Sequence, residues 1–397
     1  MSTAPTDTRF DVDAVRARFA ALRGGAAIFF DTPGGSQVPD EVRNAVTDAL
    51  RDAAGNLGGT FPTSRRIAGI VEDAHDAAAR FLGCDPDETL FGQNMTSLNF
   101  TLSRAFARAG LREGDEVVVM GSDHDASVSP WIEAAHDAGA VVRTVAVDER
   151  TFALDYDDLA AQIGERTRVV AFSIASNSAG NVVDAARVAR LAHAVGALSW
   201  IDATHYAAHL PLDVRAIDAD VLVCSPYKFC GPHLGLAYGR RSVLAAWRPY
   251  KVRPAPADPI GRRFETGTMP YEQLAGFTAA VAYWEAVDAP GAGHAHTRAL
   301  GERFLAGLPA GVTLIGPPTS EDRVPTFLLR IDGHDAAETS EQLVRRGFNV
   351  TASEHFYCLG LRELIGGKAV RVGIFHYNTA AEVDALLAAL RELAADV

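Results

Sequence analysis

The chain has 397 residues, of which 48% are apolar and 22% charged, with a net charge of −13; that length can bury a large core and predicts one big domain with a smaller one attached. The acidic balance and the lack of any dense basic cluster argue against nucleic acid as a partner, and no apolar stretch is long and charge-free enough to span a bilayer. Four scattered cysteines, Cys84, Cys224, Cys230 and Cys358, suit neither a disulfide framework nor a zinc motif, so a reducing cytoplasm is the expected setting.

In chain order, residues 1–9 are polar and lack the apolar segment of a signal peptide. Helical apolar spacing over 11–22 ends at Gly24-Gly25, and 28–30 is a short strand running into a glycine turn. Helices are expected over 40–50, 67–82 and 98–107. The turn Asn94-Met95-Thr96-Ser97 before the last of these exposes N–H groups and hydroxyls that suit a phosphate, or that simply cap the helix. Strands and helices then alternate: strands over 116–120, 141–147, 168–174, 197–201 and 221–224, helices over 130–138, 159–163 and 185–195. This rhythm predicts an α/β fold, a mostly parallel sheet with helices on both faces. Ligands of such sheets sit beyond the carboxyl ends of the strands, and four strand ends carry chemistry: His124, Asn177, Asp202 and Lys228. After residue 240 the pattern changes. A proline-rich stretch over 247–263, a helix over 274–287 and a Pro-Gly boundary lead into helices over 298–305, 338–346 and 381–393, with strands over 312–315, 326–331 and 371–375. That order reads as a smaller α+β domain, so 25–288 is the expected large domain and 1–24 with 289–397 the small one.

Lys228 stands between Tyr227 and Phe229 just past an apolar strand, and lysine occurs elsewhere only at Lys251 and Lys368. A buried ammonium is costly, desolvation lowers a lysine pKa, and an amine neutral near pH 7 can form a Schiff base with a carbonyl. Alone, Lys228 reads equally well as a solvated strand-end lysine, Asp202 as a helix cap and His124 as a loop histidine. Together, a Schiff-base lysine, an aspartate at the next strand end, a helix-start phosphate cradle and a histidine are what pyridoxal 5′-phosphate (PLP) requires. A competing metal reading takes Asp202, His205 and His209, with Asp123-His124-Asp125 adding ligands, but leaves Lys228 without a role.

Asp202-Ala203-Thr204-His205, His209-Leu210-Pro211-Leu212-Asp213-Val214, Ser225-Pro226-Tyr227-Lys228 and Gly231-Pro232-His233-Leu234-Gly235 carry a family resemblance. The sequence resembles the class V aminotransferase group of fold-type I PLP enzymes, most of all the cysteine desulfurase and selenocysteine lyase branch. The resemblance implies a seven-stranded, mostly parallel sheet with a smaller C-terminal domain. It makes Lys228 the Schiff-base lysine, Asp202 the partner of the pyridine nitrogen and His124 the ring-stacking, proton-moving histidine. His205 and Asn177 fall on the phenolic-oxygen side, while Thr96, the Met95 backbone and Ser225 hold the phosphate. Gly267 and Thr268 complete the cradle from a second subunit, which implies a homodimer with shared sites. Arg371 takes the α-carboxylate of an amino-acid substrate. Two departures stand out. Tyr227 replaces a histidine that precedes the lysine in desulfurases. The stretch Glu354-His355-Phe356-Tyr357 occupies the loop that there bears a persulfide-forming cysteine, which sets His355 and Tyr357 on the substrate side and leaves Cys358, one position off, as an ordinary semi-buried thiol. The expected activity is a PLP-dependent lyase cleaving a Cβ–S or similar bond without the usual loop cysteine. Amino transfer, epimerisation or oxidative decarboxylation are the alternatives, and a metal-dependent hydrolase a distant one.

Overall fold

A computed structural model describes residues 10–25, 27–148, 150–288 and 291–395; the polar 1–9 stretch lies outside the described residues. The largest sheet has seven strands: β1 (Thr89–Gly92), β2 (Glu116–Met120), β3 (Val141–Val145), β4 (Thr167–Ser173), β5 (Leu198–Asp202), β6 (Val221–Cys224) and β7 (Gly235–Gly239). Their order across the sheet is β1-β7-β6-β5-β4-β2-β3. β7 runs antiparallel to β1 and β6, and the other neighbours pair in parallel. The sheet is thus mostly parallel.

Alternation along the strands sorts side chains onto two faces. Val117 and Val119 join Val169, Trp200 and Val221 against Leu98, Leu102 and Phe106 of α3 (Met95–Gly110) and Trp131 of α4 (Ser129–Ala138). Val118 and Met120 point the other way, into a core shared with Ile67 and Val71 of α2 (Pro62–Leu82), Val188 of α5 (Ala185–Ala194) and Leu274 and Phe277 of α6 (Tyr271–Val287). Both faces are covered, as an apolar parallel sheet requires. From β2 the chain steps outward to β3, and from β4 it proceeds the opposite way through β5 and β6. The reversal between β2 and β4 opens a crevice at the carboxyl ends.

The C-terminal part forms an antiparallel sheet of β8 (Val312–Ile315), β9 (Thr326–Ile331), β10 (Thr351–Ser353) and β11 (Ala369–Gly373), in the order β10-β11-β9-β8. Its core takes Leu300 and Phe304 from α7 (Ala292–Gly307), Leu343 from α8 (Ala336–Arg345) and Val383, Leu386 and Leu390 from α9 (Ala380–Ala395). Ile28–Phe29 does not enter the large sheet; it pairs in parallel with Phe348–Asn349, and Asp31 bridges Gly373.

Three expectations need correction. The helix over 11–22 is two short ones, Val12–Arg16 and Ala20–Arg23. Phe19 breaks them by adopting an extended backbone, which turns its buried ring against Tyr283 and Tyr377. The strand expected over 371–375 ends at Gly373, because the Phe375 N–H donates to the Asn378 side chain (2.8 Å) in a turn rather than to a neighbouring strand. Thr89–Gly92, ahead of the Asn94–Ser97 turn and outside the expected strands, is an edge strand paired along its length with β7.

Candidate active site

The carboxyl ends of β2, β4, β5 and β6 surround a cavity of about 590 Å³ whose wall includes His124, Asn177, Asp202 and Lys228. The four strand-end residues singled out by periodicity therefore meet in one place. Met95, Thr96, His205 and Ser225 line the same cavity.

Lys228 arrives by a short route. The buried apolar strand β6 ends at Ser225, and Pro226 starts a single 3₁₀ turn, Pro226–Lys228. Its Nζ donates to the Pro33 carbonyl, from the 3₁₀ turn Thr32–Gly34, and lies 4.9 Å from the Tyr227 ring centre. Burial first, then the Arg371 guanidinium, push its pKa down to about 7, against the pull of Asp202. A large neutral fraction near pH 7 follows. Asp202, at the end of β5, is buried; Oδ2 accepts from the Ser127 hydroxyl (2.6 Å) and Oδ1 from the Thr204 N–H (2.8 Å). Both bonds fix the carboxylate plane.

His124 Nδ1 accepts the Ala126 N–H (3.1 Å), so the neutral ring keeps its proton on Nε2. Burial lowers its pKa, with Asp202 opposing. At the start of α3, Asn94 Oδ1 caps the Ser97 N–H (2.9 Å) while the Met95 N–H donates to Ser225 Oγ (3.1 Å). Gly235 runs so close beneath that a Cβ there would lie 2.5 Å from the Asn94 backbone carbon.

Asn177 links the cavity to the C-terminal part. Its Nδ2 donates to the Phe356 carbonyl (3.1 Å), its Oδ1 accepts from the Cys358 thiol (3.3 Å) and its backbone carbonyl accepts Arg371 Nη1 (2.9 Å). Arg371 is buried, its guanidinium carbon 4.4 Å from the Phe356 ring centre, and burial pushes its pKa down to about 10. Tyr357 is 68% exposed and stacks on His124 at 5.5 Å. His355 does not line the cavity; its Nδ1 accepts the Tyr357 N–H (2.8 Å). Gly267 and Thr268 are exposed and outside the cavity wall of their own chain. Cys358, expected to be semi-buried, is fully buried, because the turn folds it inward against Ser178 and Asn177.

The metal reading fares poorly. The segment after Asp202 makes a 3₁₀ turn, Tyr206–Ala208, so His205 and His209 meet edge to face at 5.0 Å instead of sharing a helix face. His205 Nε2 is bonded to Thr326 Oγ1 (2.9 Å), and among the described residues no three His, Cys, Asp or Glu side chains are grouped to hold a metal ion. Ser127, Ser173, Thr204 and His233 belong to the site or its supports and had no signal in the sequence. Single serines and threonines lack a spacing rule, and His233 counted only as part of a glycine-proline motif.

The donor set suits a group carrying a phosphate, a basic ring nitrogen and an aldehyde. A helix start with the Thr96 and Ser225 hydroxyls fits the first, a buried, oriented carboxylate the second and a near-neutral lysine the third. Ser173 Oγ, Thr204 Oγ1 and His205 Nδ1, all on wall residues, are buried without a hydrogen-bond partner, as expected of a site built around a polar ligand.

The family model for aminotransferase class V matches residues 28–386. The chain belongs to this class. Class V enzymes work with PLP. An uncharacterised Mycobacterium tuberculosis protein is 32% identical over 97% of this chain and 99% of its own. A cysteine desulfurase of Haloferax volcanii is 30% identical over 96% of each. The cysteine desulfurase of Thermococcus onnurineus, solved in its apo form, superposes with a TM-score of 0.89 over 100% of both chains at 22% identity, a likeness of fold. This class V chain is thus a PLP-dependent, cysteine desulfurase-like enzyme with the fold-type I architecture. No helix among its described residues is long and apolar enough to cross a membrane.

Proposed function

We propose that this enzyme is a lyase that cleaves the Cβ–S bond of cysteine or a cysteine conjugate and releases the sulfur as a free thiol or sulfide. The likeness to cysteine desulfurases supports bond cleavage at Cβ. One observation carries the release. The Cys358 thiol, hydrogen-bonded to the cavity residue Asn177, is enclosed and pushed by burial up to about 12. A protonated, enclosed thiol is a poor sulfur acceptor.

When bound, PLP supplies an electron sink for the pair left at the substrate α-carbon. Thr96, Ser225 and the Met95 backbone would hold its phosphate, and Asp202 would serve its ring nitrogen with a carboxylate already fixed by Ser127 and Thr204. Asn177 and His205 flank its phenolic side. Lys228 would hold its aldehyde, and its Nζ is the group placed to take the proton from the substrate α-carbon, a task suited to an amine titrating near 7. Arg371 takes the α-carboxylate with a planar fork, and the Asn177 carbonyl fixes its orientation. His124 keeps its proton on Nε2, available to the departing sulfur, and Tyr357, backed by His355, covers the face of that imidazole. The net reaction consumes water and yields a thiol, pyruvate and ammonia. Gly267 and Thr268 complete the phosphate site of a second copy, in a cytoplasmic homodimer.

The test incubates PLP-loaded enzyme with L-cysteine and a panel of its thioether conjugates. Equal amounts of thiol or sulfide, pyruvate and ammonia are expected from at least one. A sulfur-retaining 2-oxo acid together with pyridoxamine phosphate would replace this reading by amino transfer, and a persulfide on Cys358 would replace it by sulfur relay.

A further inference from the structure

We infer that His233 positions the cofactor phosphate, standing in for the histidine that Tyr227 displaces. The inference rests on the reading that the α3 end of the cavity takes the phosphate. After Lys228 the chain doubles back, with Gly231 packed so closely on Pro226 that a Cβ there would lie 2.7 Å from the proline Cβ. It then passes under the start of α3 at Gly235. His233, two residues before that crossing, is thereby brought beside Asn94 and lines the same cavity as Thr96, Ser225 and Tyr227.

The ring of His233 lies parallel to that of Tyr227, with centres 5.1 Å apart and planes 18° apart. Such a stack fixes the imidazole plane while leaving both nitrogens at its edge. Among the described residues neither nitrogen has a hydrogen-bond partner, and the residue is exposed, so it serves no core packing or internal network. Each of the other cavity imidazoles has one nitrogen engaged within the protein, His124 Nδ1 by the Ala126 N–H and His205 Nε2 by Thr326, and both follow the strand ends rather than the start of α3. No arginine lines this cavity, and the Lys228 amine is turned to Pro33. At the α3 end, His233 is therefore the side chain of this chain able to add an imidazole N–H donor to the helix start and the Thr96 and Ser225 hydroxyls. The sequence swap is internally consistent: the tyrosine supplies the platform, and the histidine five residues after Lys228 supplies the donor.

The experiment titrates apo-protein with PLP and, separately, with pyridoxal, which lacks the phosphate, following the visible absorbance. His233→Ala should weaken PLP binding by about tenfold or more and leave pyridoxal binding unchanged. His233→Gln, which keeps an N–H donor, should lose less. Adding Tyr227→His to His233→Ala should restore most of the loss, while Tyr227→Phe alone should bind PLP as the parent does. Two outcomes overturn the role: PLP affinity of His233→Ala within about twofold of the parent, or an equal loss for PLP and pyridoxal, which marks a general structural defect. A large loss in Tyr227→Phe with none in His233→Ala would assign the phosphate to the tyrosine hydroxyl. If the parent itself binds pyridoxal as tightly as PLP, the phosphate-site reading fails, separately from the role of His233.

Discussion

Two walls of the site are built by different means. One is the sheet wall, where Asp202 ends a strand paired on both sides and Lys228 follows one short turn after another. The other is the turn at residues 354–358, which has no ladder of its own and does not line the cavity but meets its wall residues His124 and Asn177 through Tyr357, Phe356 and Cys358. There Phe356 and Tyr357 both adopt left-handed backbone, with φ of 46° and 62°. Two successive bulky residues in that region cost on the order of 1–3 kcal/mol each. Contacts from elsewhere hold them: Asn177 Nδ2 on the Phe356 carbonyl, the Asp125 N–H on the Tyr357 carbonyl (2.6 Å), Ser353 Oγ on the Phe356 N–H (3.2 Å) and Arg371 over the Phe356 ring. A rigid ladder fixes the groups that any PLP reaction needs. A strained turn, pinned in part by the cavity residue Asn177, stacks Tyr357 on His124 and folds Cys358 inward. Under the proposed function, shared chemistry belongs to the first wall and the outcome of the reaction to the second.

The largest effect lies on the sheet wall. Lys228→Ala should abolish the borohydride-reducible visible band and lower turnover by at least about a thousandfold; a surviving reducible band would move the Schiff base to another amine. Arg371 joins the two walls and comes next. Its replacement by alanine should lower kcat/KM on the order of a hundredfold, mainly through KM, and lysine should recover little because one ammonium cannot reproduce the guanidinium fork. An unchanged KM would place the substrate carboxylate elsewhere.

The titration of Lys228 offers a smaller, purely electrostatic check on the sheet wall. Its folded pKa is lowered from 10.5 to about 7, so between those values the unfolded chain holds a proton that the folded apo-protein has released. Stability of the apo-protein should therefore rise with pH across that window, and the cost of burying the ammonium should be fully present below about pH 7. Denaturant unfolding from pH 7 to 10 should show this slope reduced in Lys228→Met. With lysine at only three positions, amine labelling and peptide mapping give a second readout: the Lys228 peptide should react with a midpoint near pH 7.

The contrast between the walls also explains what could be read from the sequence. The sheet wall was legible because strands of β-branched residues announce themselves and a parallel sheet delivers its ends to one edge, so His124, Asn177, Asp202 and Lys228 converged as expected. The supports were not. Ser127 reaches Asp202 from 75 residues away, and no local pattern marks it. His233 lines the cavity only because a glycine loop doubles back under α3. The turn wall was opaque for a related reason: left-handed Phe356 and Tyr357 contradict local preference and are set by tertiary contacts. The spacing that put Cys358 one position from the family's cysteine could not show which way the turn would aim it.

That aim sets the smallest predicted effect. Cys358 acts on the cavity through Asn177, whose amide it orients together with the Phe356 carbonyl. A serine hydroxyl can make the same donation, so Cys358→Ser should keep kcat within about threefold of the parent. Valine fills similar space without a donor, leaves the half-buried Asn177 Oδ1 without that partner and should cost about tenfold. This ordering, Ser near the parent and Val below it, is the signature of a thiol that positions. A nucleophilic thiol would show the opposite: serine and valine equally inactive, and a trapped persulfide on the parent enzyme. In that case the turn would have to unfold its buried thiol toward the cavity during turnover, and the two walls would share the chemistry after all.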